Sequence, residues 1–78
     1  MSHVPHELAE EFPDYKQKIH DLKVSDHHFA RLADEYHKVN REIHRVEANG
    51  VNVADETYEE LKKERLSLKD QLFQLLES

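Results

Sequence analysis

Seventy-eight residues with one glycine, two prolines, no cysteine and 36% charged side chains describe one small soluble helical domain. They exclude a disulfide-stapled fold and a thiolate metal site. The formal charge of -6 is spread as about -2 over residues 1–23, -1 over 24–48 and -3 over 49–78, with eleven basic residues interleaved among seventeen acids. No segment therefore offers the Lys/Arg-rich face that neutralises nucleic-acid phosphates.

No apolar run in the sequence approaches the length of a membrane span, and the N-terminus, with Glu7, Glu10 and Glu11, lacks a basic region followed by an apolar signal core. Residues 1–11 are expected to form a frayed leader, and the protein to be untargeted and cytoplasmic. Leu8, Phe12, Tyr15, Ile19 and Leu22 recur at steps of four and three, an apolar stripe interrupted by Pro13. A proline lacks the N–H a helix interior needs but is harmless in a first turn, so the spacing predicts a helix restarting at residue 13, with Asp14 in its first turn, and running to 23.

Val24, Ser25 and Asp26 read as a short joint, because Ser25 or Asp26 can accept a hydrogen bond from the free N–H groups that open the next helix. That helix is predicted over 26–48: Phe29, Leu32, Tyr36, Val39, Ile43 and Val46 share one face. Asn49-Gly50 supplies the left-handed conformation common just past a helix end, and residues 49–54 are expected to reverse the chain. Asp55 then caps a last helix over 55–76, with Glu56 in its first turn and Glu59–Lys63 as a supporting pair four residues apart. Tyr58, Leu61, Leu68, Leu72 and Leu75 form its stripe. The expected fold is all-α, residues 1–78 forming one domain: an antiparallel two-helix, coiled-coil-like hairpin preceded by a shorter N-terminal helix.

Two features of this pattern go beyond a plain hairpin. Arg65 stands where the heptad of the last helix asks for an apolar residue. Closure near residue 51 brings it level with Lys38 and Val39, within reach of Asn40 or Asp34. Asn40 and Arg65 together form a polar seam that fixes register; alternatively, the arginine stem lies along the seam and places its charge in water. The last helix also carries a second apolar stripe, Leu66, Phe73 and Leu76. Either the first segment folds back and covers it with Phe12, Tyr15 and Ile19, or it is an interaction face for a second copy or another protein.

Seven histidines are the one compositional oddity that hints at chemistry. His3 and His6 fall in the leader. His27 and His28 diverge around a helix, and His37 and His44 lie a heptad apart, about 10.5 Å along the axis, too far to share an ion. No metal site or cofactor is expected from one chain. Protonation of all seven would move the formal charge from -6 to +1, so a pH-responsive or metal-binding role, with His37 and His44 meeting across an interface, is the alternative function. Catalysis is not expected: Ser25 and Ser67 have no evident His/Asp relay, and no Gly-rich loop exists to hold phosphate.

The stretches Phe12-Pro13-Asp14-Tyr15, Phe29 to Glu47 and Leu61-Lys62-Lys63-Glu64-Arg65-Leu66-Ser67-Leu68-Lys69-Asp70, in this order, resemble the YdcH-like family of small bacterial proteins over about residues 12–76. Within them, Val39-Asn40, Ile43 and Glu47 stand at matching positions in the first hairpin helix. The resemblance implies a short cytosolic helical hairpin in a family without an assigned biochemical role, and carries over no catalytic residue. Met1 to Glu11 extend beyond the common pattern. The combined expectation is a non-enzymatic helical interaction module that self-associates as a dimer or tetramer, with an unidentified protein as a possible further partner and neither nucleic acid nor membrane.

Overall fold

The structure, a computed structural model, describes residues 7–49 and 55–78, and every element among them is helical. The expected reversal over 50–54, and His3 and His6, lie outside the described residues. Four α-helices follow one another: α1 (Leu8–Glu11), α2 (Lys16–Ser25), α3 (His27–Asn49) and α4 (Asp55–Glu77), with a single 3-10 turn at Pro13–Tyr15 between the first two. The fold is the expected all-α hairpin, α3 packed on α4, with shorter helices ahead of it.

Local chemistry explains the breaks. Phe12 leaves the helical region with φ -129° and ψ 67°, and Pro13 opens the next turn where its missing N–H costs nothing. The chain restarts there as expected, but as a 3-10 turn with Asp14 in it, and the α-helix proper begins only at Lys16 and continues to Ser25. At the second joint Asp26 is extended, and its Oδ1 accepts from the N–H groups of His28 at 2.9 Å and Phe29 at 3.2 Å. Of the two candidate caps, Asp26 therefore serves; the Ser25 hydroxyl instead donates to the carbonyl of Asp21. In α4, Glu59 pairs with Lys62 at 2.9 Å rather than with Lys63. The lysine three residues on is favoured because its ammonium also lies 4.4 Å above the Tyr58 ring.

Two apolar stripes meet along the hairpin. Phe29, Tyr36 and Ile43 of α3 and Leu72 of α4 are fully buried, with Leu32, Ala33, Val39 and Leu68 beside them. The N-terminal segment completes this core as a third layer. Leu8 is 2% exposed and Ile19 is buried, with Phe12, Tyr15 and Leu22 packed against the same cluster.

The frayed leader must accordingly be corrected from Leu8 onward: Leu8–Glu11 is a helical turn whose leucine reaches the core. An apolar side chain with an uncovered hairpin face within reach is stabilised by docking there, even where the helix carrying it is too short to persist alone. Leu8→Ala should lower the unfolding free energy by about 2 kcal/mol in urea titration, where truncation in a frayed leader would leave the midpoint unchanged.

Candidate functional site

The polar side chains of interest gather where the N-terminal segment crosses the hairpin. Asn40, 1% exposed, sits among the apolar residues of α3. Arg65 of α4 donates from Nη1 to its Oδ1 at 3.0 Å. One heptad away on both helices, the Tyr58 hydroxyl donates to Glu47 at 2.5 Å. The equal step on α3 and α4 makes these two bonds a matched pair: sliding one helix past the other by a turn would break both.

Tyr36 lies on the same side of α3 as Asn40, fully shut off from water. Its phenol is pushed up to about 12 from an ordinary 10.0, chiefly by burial and then by the negative charge of Glu11, with Arg65 acting in the opposite sense and Glu7 adding to the rise. Hydrogen bonds to Glu47 and to Glu77 raise the phenols of Tyr58 and Tyr15 in the same direction. The folded state thus holds these protons more tightly than the unfolded chain does. Their stabilising effect is complete below about pH 10 and is lost as the pH climbs through the folded value. For Tyr36 the loss between pH 10 and 12 should be roughly 2–3 kcal/mol. Alkaline denaturation followed by circular dichroism should become shallower in Tyr36→Phe.

The remaining polar contacts fasten the N-terminal segment down. Glu7 Oε2 and His37 Nδ1 approach to 2.6 Å, both atoms screened from water and neither with another partner among the described residues. Glu11 pairs with Lys69 at 2.9 Å, and the Lys69 ammonium lies 5.9 Å from the centre of the Phe12 ring. Phe12 stacks on Phe73 with centroids 5.3 Å apart and planes 18° from parallel, while Tyr15 meets Phe73 edge-on at 6.4 Å. Tyr15 also donates to Glu77 at 3.2 Å. Lys18 donates to the carbonyls of Leu76 at 2.6 Å and Ser78 at 3.1 Å. A cation is thereby placed on the free carbonyls and negative dipole end of α4.

These contacts correct the expected interaction face. Leu76 is 1% exposed and belongs to the core, and Phe73, at 37%, is covered in part by Phe12 and Tyr15; only Leu66, at 58%, stays open. The N-terminal segment meets α4 from Lys69 to its end, so Leu66 lies just beyond the cover. Of the two outlets for the second stripe, the chain's own first segment takes the C-terminal half.

The polar seam joins Asn40 and Arg65 directly, and Asp34 is not needed. Glu7, Glu11, Lys18 and Lys69 were not singled out from the sequence. Their partners lie far along the chain, and the only local signal was the Leu8/Phe12/Tyr15 spacing that put Glu11 and Lys18 beside a packed face. His37 is engaged by Glu7 within its own chain, and His44 is partly exposed.

The chemistry this arrangement supports is fastening. Glu7 with His37 and Glu11 with Lys69 are matched between elements, and Lys18 and Arg65 are held on carbonyl and amide oxygens. Among the described residues no three His, Asp or Glu side chains converge as metal ligands, and no helix is long and apolar enough to cross a membrane. The depression beside Asp55, Glu56, Glu59, Glu60 and Lys63 is lined, among the described residues, by α4 and is open to solvent.

These features define a class: a short helical hairpin with a polar seam, closed at one end by its own N-terminal segment. The model of the DUF465 family, described as a protein of unknown function, matches residues 29–76, the hairpin itself, and the chain belongs to that family. It is 32% identical over 66 residues to the uncharacterized protein YdcH of Escherichia coli (strain K12), covering 85% of this chain and 89% of that one. The same values hold for the uncharacterized protein YdcH of Shigella flexneri. No solved structure matches.

Proposed function

We propose that this protein is a non-enzymatic, self-associating helical interaction module acting in the cytoplasm. The observation that carries this reading is the apolar outer face of α4. It is open at Leu66, half covered at Phe73 and closed at Leu76, beside a segment of the same chain held by buried Leu8 and Ile19, by Phe12 and Tyr15 on Phe73, and by ion pairs from Glu7 and Glu11. Such ion pairs at partly exposed positions contribute little individually, so the cover is held mainly by its small apolar footprint.

An absence of catalysis agrees with the use made of the polar groups, which pair across elements instead of converging on a pocket. The net charge of -6 with interleaved signs disfavours a nucleic-acid partner. The face of α4 is the place to test the reading. Sedimentation equilibrium should give a dimer, twice the 9.3 kDa chain mass, for the wild type at high concentration. Leu66→Asp, which puts a charge on the part of the face that the chain's own segment leaves open, should weaken that dimer by at least about tenfold, on the order of 1.4 kcal/mol. Equal association by wild type and Leu66→Asp would remove this face from the function.

A further inference from the structure

The joint between α2 and α3 is a single residue. Both helices are regular up to Ser25 and from His27, and Asp26 alone is extended, with φ -127° and ψ 107°. Neither glycine nor proline occurs between Asp14 and Asn49, so no residue there forbids helix. Backbone hydrogen bonds already reach the joint from both sides, from Asp26 N–H to Leu22 at 2.9 Å and from Ala30 N–H to the Asp26 carbonyl at 2.9 Å. If Asp26 turned helical, the N–H groups of His27, His28 and Phe29 would find the carbonyls of Lys23, Val24 and Ser25 in an unbroken ladder.

The apolar spacing makes this more than a local possibility. Ile19, Leu22, Asp26, Phe29, Ala33 and Tyr36 follow one another at steps of three and four without a change of phase. The buried positions of α2 and those of α3 therefore share one heptad frame, with Asp26 as its one charged position in that stretch. Two helices that merely pack together have no reason to keep a common phase across the break, whereas one continuous helix requires it.

We propose that the chain self-associates by exchanging its N-terminal segment with a second copy, α2 and α3 fusing into one helix over 16–49. This rests on the self-association put forward above and specifies its geometry. Fusion carries Phe12, Tyr15 and Ile19 about 10–20 Å beyond the end of the hairpin at 1.5 Å per residue, out of reach of their own α4. A second copy in the same state presents the vacated surface: Phe73 for the Phe12 stack, Lys69 for Glu11, and the carbonyls of Leu76 and Ser78 for Lys18. Every contact of the closed chain is remade between chains, reciprocally, under two-fold symmetry. The Asp26 side chain is the device that holds the closed form, because its cap on His28 and Phe29 exists only when the residue is extended.

The test uses the full chain, which contains no cysteine of its own. Glu11→Cys and Lys69→Cys are introduced together and joined with a short bis-maleimide at a concentration where sedimentation shows dimer. Links between chains are expected. Adding Asp26→Leu should raise both the dimer and the fraction linked between chains by on the order of tenfold, through loss of the cap and completion of the apolar frame. A dimer whose links form only within each chain would overturn the exchange while leaving self-association standing. A monomer at every concentration, in wild type and Asp26→Leu alike, would overturn both.

Discussion

Phe29→Ala is expected to remove about 4 kcal/mol of stability. The side chain is fully buried at the start of α3, in the core cluster that joins all three layers. Its backbone N–H is fixed by the Asp26 cap, so the site has little freedom to collapse around the missing ring. Small domains lie toward the low end of the usual range of about 5–15 kcal/mol, so such a loss would leave a large part of the population unfolded. Urea titration should show the midpoint falling steeply with the slope nearly unchanged. A loss below about 1 kcal/mol would mean that the ends of α3 and α4 do not pack as described.

The polar seam should behave in the opposite way when both partners are replaced. Asn40→Leu alone should cost about 3 kcal/mol, because it takes from Arg65 the acceptor that compensates its desolvation at a half-buried position. Arg65→Leu alone removes the charged donor from a carbonyl oxygen in the core and should cost about 2 kcal/mol. Together the two substitutions place leucines at facing seam positions, and the double variant should recover to wild-type stability or above. What it should lose is a unique register, since of the two matched bonds that between Tyr58 and Glu47 alone would remain. A double-mutant cycle with a coupling of at least about 2 kcal/mol, and doubled amide resonances in the double variant, are the expected readings. Additive losses and a single set of resonances would show that the seam carries neither stability nor register.

Sequence alone reached the hairpin because its information is local and periodic. Phe29, Tyr36 and Ile43 on one helix and Leu68 and Leu72 on the other announce their faces through spacing, and the Asp26 and Pro13 punctuation follows from backbone chemistry. Arg65 could be matched to Asn40 because a hairpin of known closure point fixes which residues lie level. The second stripe and the first segment are both visible, and their pairing is one of the two alternatives that spacing leaves open. Lys18 reaches a carbonyl 58 residues away, and Phe12 meets Phe73 across a similar span. Periodicity gives a face to each helix without saying which of two available partners will cover it. Leu8 carries the stripe's spacing but stands in the expected leader for a related reason, since a helix of four residues is unstable alone and only tertiary packing holds it.

The uneven strength of the fold fits the proposed role. The α3–α4 hairpin is held by a continuous core and by two matched hydrogen bonds, whereas the segment over 8–25 is held by a smaller apolar footprint and by partly exposed ion pairs. Displacement of that segment would take Phe12 and Tyr15 off Phe73 and expose its ring.

If the outer face of α4 mediates self-association, the solution mass of the unmodified chain depends on its concentration. Light scattering at neutral pH over a concentration series is expected to rise from 9.3 kDa toward twice that value. A mass that stays at 9.3 kDa at every concentration would contradict it.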